Sequence, residues 1–193
     1  MSDQTVEKNW KRINNWLKNN APEILTSLNG PASSAEIELL ENHTHSILPD
    51  DFKRGLFVHN GQNIDGPPFV NLHFLLPIDQ IIEAWDLQKE LLDSNNFEGI
   101  RAEEHPKVKS DLWNTGWIPF SSDYAGDYIC VDLNPSISGH HGQVFLKRND
   151  HPVRTCLARN YNSWLEKIIN AMSVQSALAR NSECEINIPF VEG

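Results

Sequence analysis

The stretch Asp123–Phe145, DYAGDYICVDLNPSISGHHGQVF, decides between two interpretations of this sequence. Its three aspartates, one cysteine and two adjacent histidines are residue types that suit a metal site or an acid/base pair. The same letters also describe a β-hairpin, because aliphatic residues alternate with other residues in DYICVDL and again in GQVFLK. The connection NPSISGHHG is rich in turn residues. The alternation covers both halves of the stretch, so we predict the hairpin.

The first strand of this hairpin has one wholly aliphatic face, formed by Ile129, Val131 and Leu133 at every second position. We expect that face to meet the helices of the domain. Asp132 stands at the base of the connecting loop, where its carboxylate can accept backbone N–H bonds that the loop leaves unpaired. Gly142 closes the loop, and we expect a backbone conformation there that a larger residue would strain.

Helical patterns precede the hairpin. The first helix has an apolar face at helical spacing, formed by Trp10, Ile13, Trp16 and Leu17. A capping box of Ser33 and Glu36 predicts the start of the second. The third is predicted to begin at Pro49 and to end at Asn60-Gly61. A long amphipathic helix follows, with an apolar face of Ile78, Ile81, Ile82, Trp85, Leu91 and Leu92.

Strands and a closing helix make up the second half of the chain. The charged segment EGIRAEEHPKVKSD is expected to be an exposed loop. Four strands are predicted in close succession from Trp117 onward: GWIPF, DYICVDL, GQVFLKR and VRTCLA. The buried face of the last helix is predicted to carry Tyr161, Trp164, Leu165, Ile168, Ile169 and Met172. The C-terminal stretch CEINIPFVEG could add an edge strand.

This order of elements predicts an α+β fold. We expect a single domain over residues 1–172, with a mostly antiparallel β-sheet packed against N-terminal, middle and C-terminal helices. Residues 173–193 are expected to form a C-terminal extension that packs on this domain or frays from it. The 193 residues, 39% of them hydrophobic, suffice for one core.

Charge and cysteine content restrict the possible partners and compartments. The net charge of -10 repels nucleic acid and favours basic partners, although acidity also serves solubility alone. The N-terminus lacks the features of a signal peptide, and no apolar run has the length of about 20 residues that spans a bilayer. Three widely spaced cysteines, Cys130, Cys156 and Cys184, fit a reducing compartment. We therefore predict a cytoplasmic protein without membrane or direct nucleic-acid binding.

Histidine pairs are the first candidates for a metal site. His43 and His45 are separated by one residue, and His140 and His141 are adjacent. Neither pair has a cysteine or carboxylate beside it at a recognised ligand spacing, and histidines on loops are common. We predict no bound metal.

The carboxylates and Cys130 are the candidates for catalysis. Asp127 and Asp132 are an odd number of residues apart, so a regular strand points them to opposite faces, and a site shared with Asp123 is not expected. Cys130 lies mid-strand among aliphatic neighbours and is predicted to be packed. The sequence holds no phosphate loop, nucleophile elbow or dinucleotide fingerprint. We predict no catalytic residues and no cofactor.

Two tryptophans admit a structural and a functional interpretation. Trp113 and Trp117 lie outside the helical apolar faces. They either anchor the preceding loop on the edge of the sheet or present an exposed aromatic contact to a partner. The sequence leaves both possibilities open.

Six segments in one order resemble the SUKH superfamily, in the branch of the yeast cell-wall assembly regulators of the Smi/Knr type. The resemblance runs from about Trp10 to the helix that ends near Met172, and it is carried by PASSAEIELLE, LPDDFKRGLFVHNGQ, FLLPIDQIIEAW, GWIPF, GDYICVDLNP and GHHGQVF. It implies a mixed α+β domain whose sheet carries the hairpin around Asp132 and Gly142.

The resemblance implies a protein-binding function. Similar bacterial immunity proteins bind and neutralise toxin domains, many of them nucleases. The sequence shows no long polar flanks like those of the fungal regulators, which favours an immunity protein with a basic toxin domain as its partner. The alternative is a regulatory or scaffolding protein of the cell-wall assembly regulator type. The expected partner-binding residues are Asp123, Tyr124, Asp127, His140 and His141, and the oligomeric state is left open.

Overall fold

A computed structural model describes residues 5–94, 101–149 and 151–178, with side chains as far as Val174 in the last helix. In chain order, the described elements are α1 (Thr5–Asn20), α2 (Pro22–Ser27), α3 (Ser34–Thr44), α4 (Asp50–Leu56), β1 (Phe74–Leu75), α5 (Ile78–Asp93), β2 (Trp117–Ser122), β3 (Tyr128–Asp132), β4 (Gln143–Lys147), β5 (Arg154–Ala158) and α6 (Tyr161–Leu178). The strands form one antiparallel sheet in chain order. The predicted α+β single domain is confirmed.

The hairpin of β3 and β4 has the predicted loop geometry. Asp132 is fully buried, and its Oδ1 accepts the backbone N–H of Asn134 at 2.9 Å. Its Oδ2 accepts the side-chain amide of Gln143, the residue opposite it on β4, at 2.8 Å. Gly142 has a φ of 85° and donates its N–H to the Asp132 carbonyl oxygen at 2.7 Å. The loop therefore depends on one buried carboxylate and one left-handed glycine.

Helices cover the aliphatic side of the sheet. Ile129 and Val131 of β3 have no exposed surface. Helix α6 packs on β4 and β5, and α5 packs on β2. The ring of Phe120 on β2 lies edge-on to Tyr161 and Trp164 of α6, with centroids 5.6 and 5.0 Å apart. All six residues predicted for the buried face of α6 are buried.

The opposite face of the sheet carries Tyr128, Cys130 and Asp132 on β3 and is called the mixed face below. It is buried as well, beneath the segment 101–116. Trp113 of this segment lies edge-on to Trp117, with ring centroids 5.8 Å apart, and both side chains are buried. Arg154 of β5 lies over the Trp117 ring and donates to the carbonyl oxygens of Asp111 and Leu112. The two tryptophans thus anchor the loop, and they do so on the face of the sheet rather than at its edge.

The structure corrects the prediction that the charged segment 98–111 is an exposed loop. The charged segment 98–111 is free of helix and strand over its described part, 101–111, as expected for a loop. It is not uniformly exposed, however, because Ala102 and Val108 are buried. These two small apolar residues and Trp113 turn a charged segment into a cover for the sheet, which its composition did not reveal.

Helix boundaries agree with the sequence at α3 and differ at α4. The capping box of Ser33 and Glu36 is formed in both directions. Pro49 is the residue before α4, and the helix ends at Leu56 rather than at the predicted Asn60-Gly61. The reason is tertiary: His59 Nδ1 lies 2.8 Å from the carbonyl oxygen of Asn29, and the N–H of Asn60 donates to that of Gly30. These contacts hold residues 59 and 60 away from a helical path.

The C-terminal part of the chain differs from the sequence expectation at one point. Helix α6 continues past Met172 to Leu178. The proposed edge strand CEINIPFVEG lies outside the described residues. Within the described ranges, no helix combines the length and apolar character needed to cross a bilayer.

Stability measurements test the role of the hairpin loop. We expect Asp132→Ala and Gly142→Val each to lower the free energy of unfolding by about 1 to 3 kcal/mol. The first leaves the Asn134 N–H without its acceptor, and the second places a β-carbon at positive φ, 3.0 Å from Pro49 Cγ. Thermal unfolding measures both, with the exposed Glu103→Ala as control. Unchanged melting temperatures in both loop variants would contradict this role.

Candidate functional site

The turn between β2 and β3, residues 123–127, is held by two aspartates that the sequence assigned to partner binding. Asp123 Oδ1 accepts the backbone N–H groups of Ala125 and Asp127, at 2.8 and 2.9 Å. Asp127 Oδ1 accepts the N–H of Asn149 at 2.8 Å. One oxygen of each carboxylate therefore stabilises the turn. A substitution that removes the charge should keep this hydrogen-bond acceptor, as Asn does.

Tyr124 occupies the left-handed backbone region at the centre of this turn, with a φ of 57°. A bulky residue is rare there, at a cost of roughly 1 to 2 kcal/mol. Its side chain is 50% exposed, and its hydroxyl donates to Gln80 Oε1 of α5 at 2.8 Å. The ring lies edge-on to Phe74, with centroids 5.6 Å apart. The strained turn thus directs a half-exposed aromatic ring toward α5.

A groove lies between α5 and this turn, and it is called the α5 groove below. Its volume is about 560 Å³. The apolar part of its lining consists of Leu76, Ala84, Leu87, Tyr124 and Tyr128, and the polar part includes Gln80, Glu83, Gln88 and Asn149. Leu87 is 52% exposed, so a large aliphatic side chain meets solvent beside the Tyr124 ring.

Gln88 is the unusual polar residue of the groove. Its side chain is only 5% exposed, and its Oε1 has no hydrogen-bond partner among the described residues. A buried amide oxygen without a donor costs about 1 to 3 kcal/mol. Most buried side-chain polar atoms in proteins have a partner. A ligand that carries a donor would remove this cost.

Negative charge dominates the surroundings of the groove. Helix α5 carries five acidic residues and one lysine, and that lysine pairs with Asp93. In the described part of the chain, no Lys, Arg or His lines the groove, whereas Glu83 does. Asp123 and Asp127 add two carboxylates on the adjoining turn. The electrostatic potential of this surface therefore favours a cationic ligand.

His140 and His141 lie on a different surface. Both are exposed on the loop between β3 and β4, where Ile137 is fully exposed as well. This loop follows the end of β3 at Asp132, whereas the turn with Tyr124 precedes its start at Tyr128, so about 13 Å of strand separates them. The five predicted partner-binding residues thus form two separate surfaces.

His73 lies near the acidic turn and is 4% exposed. Burial lowers the pKa of its imidazole, because the charged form loses hydration, and the negative charges of Asp123 and Asp127 oppose this shift. The turn therefore influences the protonation of a buried histidine.

The residues considered for catalysis or metal binding have other roles. Cys130 is fully buried, which raises the pKa of its thiol and removes it as a nucleophile at neutral pH. His45 caps α3, and His43 Nε2 lies 2.7 Å from Asp86 Oδ1. Within residues 5–94, 101–149 and 151–178, no group of three or more His, Cys, Asp or Glu side chains is placed to hold a metal ion.

Leu87 and Gln88 were not among the residues expected to bind a partner. Leu87 lies off the apolar face of α5, next to Asp86 and one helical turn before Glu90. An isolated leucine on a charged helix face is compatible with simple exposure. Only the position of the β2–β3 turn shows that this leucine borders a groove.

A titration tests the coupling between the turn and His73. Asn at positions 123 and 127 keeps both Oδ1 acceptors and removes both charges, so we expect the His73 pKa to fall further in the double variant. Because the His73 pKa is lower in the folded protein, the unfolded chain takes up a proton first as the pH falls. The free energy of unfolding therefore decreases from about pH 6.5, the unfolded pKa, toward the folded pKa. NMR titration of the His73 ring measures the shift; an unchanged or raised pKa in the variant would contradict the coupling.

Elemental analysis tests the absence of a metal centre. We expect less than stoichiometric zinc or other transition metal in the purified protein, and no change in its melting temperature on treatment with chelator. One tightly held metal per chain, with loss of folding after chelation, would contradict this prediction.

A family model described as SMI1 / KNR4 family (SUKH-1) matches residues 31–167. The chain is 29% identical over 174 residues to the cell wall biosynthesis/cell cycle regulator smi1 of Schizosaccharomyces pombe, covering 83% of this chain and 34% of that protein.

Two further relatives carry similar names. A glucan synthesis regulatory protein of Neurospora crassa is 24% identical, over 87% of this chain and 38% of its own length. The cell wall assembly regulator SMI1 of Saccharomyces cerevisiae is 22% identical, over 83% of this chain and 39% of its own length. The chain thus spans somewhat more than a third of the length of these curated relatives.

Proposed function

Because the chain belongs to the SMI1/KNR4 (SUKH-1) family, we propose that it is a non-catalytic protein-binding domain with a regulatory or scaffolding role of the cell-wall assembly regulator type. The observation that carries this proposal is the alignment of more than four fifths of the chain with proteins named as regulators of cell-wall or glucan synthesis. The partner is a protein, in accord with the acidic surface, and not a nucleic acid.

The chemistry of the described side chains supports a binding function rather than catalysis. Cys130 is inert in the core, and Asp132 is committed to the hairpin loop. Burial raises the pKa of the Asp132 carboxyl, against the hydrogen bonds that it accepts from Gln143 and Asn134. Cys130 and Asp132 have no exposed surface, so a substrate does not reach either side chain.

The binding surface of the proposal is the β2–β3 turn with the α5 groove. Tyr124 supplies an exposed aromatic ring of the kind enriched at interface hot spots, and Asp123 and Asp127 supply charge. His140 and His141 lie at the other end of β3 and would form a separate contact.

The immunity interpretation stays a prediction. The lack of long polar flanks favours it. However, the chain spans little more than a third of its relatives' length, so this lack does not distinguish an immunity protein from a regulator. The relatives from Schizosaccharomyces pombe, Neurospora crassa and Saccharomyces cerevisiae are named as regulators, which supports the regulatory or scaffolding role.

Gene deletion in the source organism tests the proposal. We expect the deletion to change the glucan content of the cell wall, and we expect the wild-type gene and the exposed-site control Glu103→Gln to restore it. Tyr124→Gly should restore it poorly, because the ring is lost while the strained φ is relieved.

An unchanged wall after deletion would contradict the proposal. If the deletion also removes protection against a toxin encoded beside the gene, the result would support the immunity function instead. Western blotting of each variant checks that the protein accumulates to the wild-type level.

A further inference from the structure

The α5 groove has the size and the mixed apolar and acidic lining to receive an anchor side chain of a peptide. Its volume of about 560 Å³ lies within the range of ligand pockets. Leu87 and the ring of Tyr124 present apolar surface at its mouth, each about half exposed. Exposed aliphatic and aromatic side chains around a concavity are typical of a surface that receives an apolar anchor.

The unpartnered amide oxygen of Gln88 is an independent sign that a donor is missing from the groove. The side chain lines the groove, is more than nine-tenths buried, and has no donor to its Oε1 among the described residues. The terminal amide torsion of glutamine is soft. Because the Oε1 atom itself is buried, a donor in the groove gains this acceptor after rotation of the side-chain amide.

Charge around the groove selects the kind of peptide. Glu83 lies in its lining, Asp123 and Asp127 lie on the adjoining turn, and no cationic side chain of the described chain lines it. A second copy of this chain would bring the same acids to the contact. Like charges at an interface are unfavourable, so self-association through this face is disfavoured.

We propose that the α5 groove binds a basic peptide segment of a partner protein, with one apolar anchor between Leu87 and Tyr124 and Lys or Arg side chains on either side. This inference rests on the proposed function as a protein-binding domain and names the chemistry of the partner. The anchor fills the apolar part of the groove, a donor of the peptide bonds to Gln88 Oε1, and the cations face the acids of α5 and the turn.

Peptide binding to the full chain tests the inference. The probes are two pools of nine-residue peptides with a fixed central leucine, one with Lys or Arg at the flanking positions and the other with Asp or Glu. We expect the basic pool to shift backbone amide NMR signals of the α5 groove, with affinity falling as the salt concentration rises. The acidic pool should leave them unchanged.

Variants separate binding from folding. Leu87→Ser alters an exposed side chain, and Tyr124→Gly relieves a positive φ, so both proteins should fold. We expect each to weaken binding of the basic pool about tenfold or more. Glu83→Gln should weaken it less and reduce its salt dependence, whereas the matched change Glu103→Gln at an exposed site outside the groove should have no effect.

Several results would overturn the inference. They are equal binding of both pools, signal shifts centred on the loop with His140 and His141, unchanged affinity in both Leu87→Ser and Tyr124→Gly, or no binding of the basic pool at millimolar concentration. Because the measurement is made on the purified chain, its failure is distinct from that of the proposed function, which the gene deletion decides through the cell wall.

Discussion

Burial of β3 on both faces is the constraint on which the rest of the structure depends. Every residue from Tyr128 to Asp132 is buried, the aliphatic side beneath helices and the mixed side beneath the segment 101–116. The mixed side carries charge, and each charge has a partner: Asp132 binds Gln143, Arg154 binds backbone carbonyls, and the Lys147 ammonium lies 5.7 Å from the centre of the Tyr128 ring. Polar groups without such partners would destabilise this layer.

This arrangement leaves function to the ends of the strands. Asp123, Asp127 and Asp132, which suggested an acid/base site, accept backbone N–H bonds that stabilise the β2–β3 turn and the hairpin loop. What the turn presents to solvent is Tyr124, in a backbone conformation that a bulky residue adopts only under strain. Tyr124 lies beside the exposed Leu87 and the unpartnered amide oxygen of Gln88, and packing alone does not explain these three features.

Local patterns predicted the parts of the fold that depend on local physics. The alternation around Ile129 and Val131, the capping box of Ser33 and Glu36, and the apolar face of α6 were all visible in the sequence and are present in the structure. The end of α4 was not predictable, because contacts of His59 and Asn60 with residues 29 and 30 decide it. The α5 groove was not predictable either, since it arises where a helix meets a turn more than thirty residues away.

The most direct test of the account is site-specific photocrosslinking in cells. A photoreactive phenylalanine analogue at position 87 lies at the edge of the α5 groove, and the same analogue at the exposed position 103 serves as control. We expect protein adducts at position 87 whose crosslinked peptides carry an apolar residue flanked by Lys or Arg, and far fewer adducts at position 103. Equal adducts at both positions, or adducts at 87 to peptides without basic residues, would contradict it.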